Sequence, residues 1–231
     1  LRIENLKIGT LEVEVKFKPI KNLHLSVHPP FGKVTVSSPD FFDLEKVRVY
    51  LTTKIGWIKQ EQKKISSQER EGEKLFITRE SHQFLGKRYL LKIKEPGKNK
   101  IVLKHSTINL YTKHDATINT KKKILYDWYR KELRHQLYTL IHQYASIMNL
   151  HAPEFGIRTM KTKWGSCTTE NKKLWFNIEL AKKPLDCIEY IVVHEMVHLL
   201  ERNHNKNFII MMDKFLPNWR TQKKILNELP I

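Results

Sequence analysis

A chain of 231 residues that is 40% hydrophobic is long enough for one large domain, or for a core domain with a smaller companion, each with a buried core. Its apolar runs stop well short of the ~20 residues that cross a bilayer, Leu1-Arg2-Ile3-Glu4-Asn5 lacks the apolar core of a secretory signal, and two cysteines are too few for a disulfide framework. The expectation is a cytoplasmic protein with no membrane partner. Its 42 Lys and Arg against 24 Asp and Glu give +18, a field that favours nucleic acid or another polyanion, although lysines scattered in this way also read as a soluble surface.

Alternating apolar and polar residues predict strands at Leu11–Phe17, Leu23–Val27 and Lys33–Val36, the last two split by the turn Pro29-Pro30-Phe31-Gly32. From Asp43 to about Gln68, Leu44, Val47, Leu51, Ile55 and Ile58 recur at helical spacing, with Trp57 expected in the core beside Ile58. Strands follow at Tyr89–Ile93, Ile101–Leu103 and Thr107–Tyr111, the first two split by Pro96-Gly97-Lys98-Asn99. Lys121 to Met148 reads as one long helix, and Ile157–Cys167 and Lys173–Leu180 as extended segments. Pro184 then opens a helix, where its missing N–H is no loss, and Asn207–Phe215 and Asn218–Leu229 end the chain as helices around Pro217. No internal repeat or flexible linker is evident. The pattern is α+β: a β-rich domain with one long helix over residues 1–115, then a mainly helical domain with a short sheet over residues 116–231.

His194-Glu195-Met196-Val197-His198 is an H-E-x-x-H pattern inside an apolar helix. Two histidines four apart stand one turn above the other and can grip one ion. Glu195, about 100° around the axis from His194, is in reach of a water that such an ion holds and can take its proton. Burying this trio without partners is costly, and metal coordination removes the cost. His204 is the expected third ligand. A continuous helix would turn it about 120° away from His198, so the helix has to end between them, and Glu201-Arg202-Asn203 offers an exit with Asn203 as a left-handed cap. Metzincins share the spacing but have Gly where this chain has Glu201. Arg158, Lys161 and Lys163 form a basic group, and Lys161 and Lys163 would share a face if they stood on a strand.

Arg158, Met160-Lys161, Trp164-Gly165-Ser166-Cys167, Phe176-Asn177, Pro184, Tyr190 to Glu195, His198-Leu199, His204 and Phe208 occur in an order that resembles the YgjP-like metal-dependent hydrolases. Gly56-Trp57-Ile58 and Phe84 to Tyr89 look like the same family, which is similar to the SprT-like and minigluzincin-type zinc peptidases. The resemblance implies a small zincin-like catalytic domain behind the β-rich one, with three histidines on one zinc and Glu195 as the catalytic base. It also implies that Trp164, Gly165 and Ser166 lie beside the metal, where exposed strand amides can hold an extended substrate. Cys167 reads as a packing residue, since a fourth protein ligand would close the site.

The leading expectation is therefore hydrolysis of a peptide bond with one Zn2+ per chain, other divalent metals being compatible with imidazole ligands. A second reading keeps the metal and gives Arg158, Lys161 and Lys163 a nucleotide or other phosphorylated small molecule, as in a pyrophosphatase. A third makes zinc structural in a nucleic-acid-binding module without enzymatic activity.

Overall fold

Alternation puts Val13, Val15 and Phe17 on one side of a strand and Glu12, Glu14 and Lys16 on the other. In the computed structural model this segment is β2 (Leu11–Lys18), joined through a turn at Gly9 to β1 (Arg2–Ile8). The structure describes residues 2–28, 31–67, 72 and 74–229, so Pro29 and Pro30 of the expected turn, and Gln68 at the expected helix end, lie outside the described residues. A second hairpin, β3 (His24–His28) and β4 (Lys33–Pro39), sets β4 parallel to β2 and gives the sheet order β1-β2-β4-β3. Helix α1 (Leu44–Ser67) lays Val47, Leu51 and Ile58 on Val13, Val15, Phe17, Val34 and Val36. Trp57 is a correction: its neighbour Ile58 is fully buried, but Trp57 is 44% exposed, because the next residue on a helix points about 100° away.

The same succession then occurs again. β5 (Ser81–Phe84), β6 (Lys87–Lys94), β7 (Lys100–Lys104) and β8 (Thr107–Tyr111) form two hairpins in the order β5-β6-β8-β7, with β6 parallel to β8. Helix α2 (Ile118–Ile147) follows as α1 did. The chain thus contains a repeated ββββα pattern that the sequence conceals, since strand order needs only alternation and turns in the right places, not matching residues. Strands β1 and β5 were also not expected.

The compact units divide between residues 70 and 71, not at the expected boundary after residue 115. The reason is packing: Phe84, Leu91, Ile108 and Leu110 of the second sheet share one core with Leu125, Tyr129 and Leu133 of α2. Helix α2 starts at Ile118, three residues ahead of the expected Lys121, and Thr117 caps it, its side chain accepting the Thr120 N–H at 3.2 Å.

The same unit continues with β9 (Phe155–Arg158), β10 (Gly165–Thr168) and β11 (Lys173–Asn177), in the order β10-β11-β9. A short 3-10 turn (Ile178–Lys182) leads to α3 (Leu185–Val197), α4 (Lys206–Phe215) and α5 (Trp219–Glu228). The start of α3 is pinned by the β5–β6 turn, where the Leu85 and Gly86 N–H groups donate to the Ala181 and Lys182 carbonyls at 2.9 and 3.1 Å. Gly86 has φ +77° and lies so close to Pro184 that a Cβ would sit 2.8 Å from its Cγ. Among the described residues no helix is long and apolar enough to cross a membrane.

Candidate metal centre

Helix α3 is buried nearly all round, from Cys187 through Val193 to Val197, so its polar side chains stand in an apolar frame. It ends at His198, earlier than the expected exit at Glu201–Asn203. The Leu199, Leu200 and Glu201 N–H groups fold back onto the Met196 and Val197 carbonyls at 2.8–3.0 Å. The left-handed Asn203 cap is not used: Asn203 has no positive φ, and the Glu201 carboxylate instead accepts its N–H at 3.1 Å. Asn205 then caps α4 by accepting the Phe208 N–H at 3.0 Å. The reversal carries His204 back to the end of α3.

His194, His198 and His204 form the one group of His, Cys, Asp or Glu among the described residues whose ligand atoms converge, all within 4.8 Å of one another. Nε2 of His194 and Nε2 of His204 are 3.0 Å apart. His198 Nδ1 donates to the Glu201 carbonyl at 3.1 Å, which turns its Nε2 towards the other rings. The three imidazoles rest on Phe208, whose ring centroid is 4.7–5.0 Å from each of theirs. Burial, with the neighbouring His198 and His204 charges adding to it, holds His194 down at a pKa of about 3. His198 is lowered too, mainly by burial. Neutral imidazole is the form that binds metal.

Glu195 is 6% exposed and is pushed up to a pKa of about 7 by burial, against the opposing pull of Lys163 and of the Cys167 N–H. Its carboxylate rests on Gly165, where an added Cβ would come within 2.7 Å of Oε1. Here the Trp-Gly-Ser-Cys segment acquires a physical reason: β10 passes so close to Glu195 that only glycine leaves room. Cys167 is half-buried against the core, and burial, aided by the Glu195 charge, lifts its thiol to about 11, far from a reactive thiolate.

A cavity of about 610 Å³ opens over these groups. His194, Glu195, His198 and His204 line it together with Lys163, Trp164, Gly165 and Ser166. Arg158 and Lys161 do not. Arg158 lies over the Trp175 ring at 4.7 Å, and residues 159–164 form a loop, not the strand that would have aligned Lys161 with Lys163. The cause is Asn177, a buried side chain whose amide donates to the Met160 and Lys163 carbonyls, each at 2.9 Å, and bends the segment around itself. The sequence assigned no role to Tyr190, Arg202, Thr168, Thr169 or Glu170, which also line the cavity. Tyr190 carried a usable signal, since it sits one helical turn before His194. Thr168 ends β10, and Arg202, Thr169 and Glu170 lie in turns and bends, where spacing carries no direction.

The sequence profile described as YgjP-like, metallopeptidase domain, matches residues 21–229. Two solved structures are similar over part of the chain. One is the metallopeptidase zymogen of Methanocaldococcus jannaschii jannalysin, with 18% identity, 39% of this chain and 92% of that one covered, and a TM-score of 0.36. The other is the metallopeptidase zymogen of Pyrococcus abyssi abylysin, with 19% identity, 41% and 99% covered, and a TM-score of 0.36. None of the curated proteins compared with the chain matches it.

Proposed function

The chain belongs to the YgjP-like metallopeptidase family, and from that premise we propose that it is a zinc-dependent peptidase in which His194, His198 and His204 hold the metal and Glu195 is the general base. One observation carries the reading: three imidazoles converge within 4.8 Å on the wall of a cavity that also receives the Glu195 carboxylate. The residues fit the ion. Two nitrogens about 2.05 Å from a tetrahedral zinc are roughly 3.3 Å apart, close to the 3.0 Å between Nε2 of His194 and of His204. Three protein ligands leave one position open, as catalytic sites do.

A zinc ion bound there supplies Lewis acidity towards a carbonyl and acidifies a water. Glu195 takes the proton from the attacking water and delivers it to the leaving amine, a role that suits a carboxylate held near neutrality by burial. Gly165 and the Cys167 N–H fix the position of that carboxylate. Strand β10 is an edge strand, so its free side can pair with an extended peptide, with Lys163, Trp164 and Ser166 as contacts along the cavity. The phosphorylated-substrate reading rested on three basic side chains, of which Lys163 alone lines the cavity. The structural-zinc reading requires a fourth ligand, and leaves Glu195 without a task.

The test is metal content by elemental analysis, wild type beside His198→Ala, followed by a peptide screen with Glu195→Gln. About one zinc per chain, lost in His198→Ala, with peptide hydrolysis lost in a Glu195→Gln variant that keeps its zinc, supports the proposal. Equal metal in wild type and His198→Ala overturns the ligand assignment, and undiminished hydrolysis by Glu195→Gln overturns the base.

A further inference from the structure

The two repeated sheets differ in the face turned away from their helices. In the first, charges of both signs are interleaved: Glu14 pairs with Lys16 and with Lys33, each at 2.7 Å, and Lys7 stands opposite Glu12. In the second, the register places Leu90, Thr107 and Lys104 in one row, Lys92, Asn109 and Val102 in the next, and Lys94, Tyr111 and Lys100 in the third. No acidic residue stands in these rows. Lys92, Lys94, Lys100 and Lys104 are exposed and have no ion-pair partner among the described residues. Both faces carry lysines, and what sets the second apart is that no acidic residue is interleaved with them as Glu12 and Glu14 are with Lys7, Lys16 and Lys33 in the first.

The face is also shaped. Lys92, Lys94, Val102, Lys104, Asn109 and Tyr111 are among the residues lining a shallow depression of about 470 Å³. Tyr111 lies between Lys94 and Lys100 in its row, with the Lys100 ammonium 4.8 Å from its ring centroid. Leu90 and Val102 are 47% and 39% exposed. Lysines two apart on a strand repeat every ~6.7 Å along it, and together with an aromatic ring and apolar side chains on a sheet they form the kind of surface that follows a phosphate backbone while bases stack. An anionic membrane fits less well, because the nearby hairpin tip, Lys104-His105-Ser106, offers no apolar residue to insert.

We infer that the outer face of the β5-β6-β8-β7 sheet binds single-stranded nucleic acid, with Lys92, Lys94, Lys100 and Lys104 on the phosphates and Tyr111 stacking on a base. This function is separate from the proposed peptidase site and does not rest on it.

The experiment is fluorescence anisotropy of the full chain with a fluorescein-labelled 12-nucleotide single strand, DNA and RNA in parallel, from 50 to 300 mM salt. Four phosphates neutralised on a single strand predict a slope of log K against log salt of about −3. Lys92→Gln, Lys94→Gln and Lys104→Gln together should weaken binding at least tenfold and flatten the slope by about 2. Tyr111→Leu should weaken it about fivefold or more with the slope unchanged. Lys46→Gln, Lys54→Gln and Lys59→Gln on α1, which remove the same charge, should change it less than twofold, and thermal melts establish that every variant is folded. No binding at 50 mM salt overturns the inference. So does equal weakening by the two triple variants, which would reveal a net-charge effect, or tighter binding to phosphatidylglycerol vesicles with the same dependence on the lysines.

Discussion

Glu195 and Gly165 touch so closely that one methyl group is a measuring device. In Gly165→Ala the new Cβ would stand 2.7 Å from Oε1, 2.8 Å from Cγ and 3.0 Å from Cδ of Glu195, whereas ordinary contact begins at 3.4 Å. The carboxylate therefore has to retreat by about 0.7 Å, the difference between 3.4 and 2.7 Å. Backbone strain does not confuse the result, because Gly165 does not have a positive φ. The retreat draws the carboxylate away from the position it holds against β10, and a misplacement of about 1 Å costs a catalytic group on the order of 100-fold. The expected loss in kcat/KM is between about tenfold and 100-fold, with a stability cost of about 1–3 kcal/mol from overpacking. The histidines are not touched, so zinc content should stay at the wild-type level. The assay is hydrolysis of a fluorogenic peptide mixture by the zinc-loaded full chain, with metal measured on the same samples. Activity within twofold of wild type would refute the positioning argument. Zinc lost in step with activity would mean that Gly165 supports the metal ligands and not the base.

Asn177→Ala removes two donated hydrogen bonds from the 159–164 loop and should cost about 2–3 kcal/mol in urea unfolding; an unchanged midpoint would show that the loop is held otherwise. Arg158→Ala should leave peptide hydrolysis within twofold, since the guanidinium packs on Trp175 outside the cavity, and a larger loss would return it to substrate binding. In the metal-free protein His194 makes a contribution to stability that acid removes. His194 titrates near 3 when folded against 6.5 as a free side chain, so below pH 6.5 the unfolded chain binds a proton that the folded chain refuses. That contribution is complete above about pH 6.5 and is lost as pH falls towards 3, while Glu195, raised to about 7, acts in the opposite direction in both proteins compared. The melting temperature of the chelator-treated wild type should therefore fall more steeply over this window than that of His194→Leu, and parallel curves would contradict the assignment.

What the sequence made legible is what is local. His194 and His198 stand four apart on an apolar helix, and that spacing alone sets them on one face. The strands at Leu11, Lys33 and Thr107 announced themselves by alternation, the one at Tyr89 by its apolar run before the turn at Pro96-Gly97, and Pro184 marked the start of α3. What stayed hidden depends on contacts across distance. The bend that separates Lys161 from Lys163 is imposed by Asn177, more than a dozen residues later. The core that joins β5–β8 to α2 overrides a change in composition near residue 115. Trp57 was placed in the core by its neighbour's periodicity, although it occupies a different side of the helix.

His204 illustrates how the two kinds of information meet. Helical geometry alone requires the helix to stop before His204, and α3 runs to Val197 with His198 as its cap. The device, however, is not a left-handed asparagine: Glu201 accepts the Asn203 N–H and Asn205 caps α4, so two polar side chains divide the work of reversing the chain. That division ties the triad to the next helix. Phe208, whose N–H is the one Asn205 caps, is also the ring on which all three imidazoles rest. The start of α4 and the convergence of the histidines are therefore one structural event. A one-residue insertion between His198 and Asn205 would shift His204 against Phe208 and disperse the cluster, even with His194, Glu195 and His198 left intact.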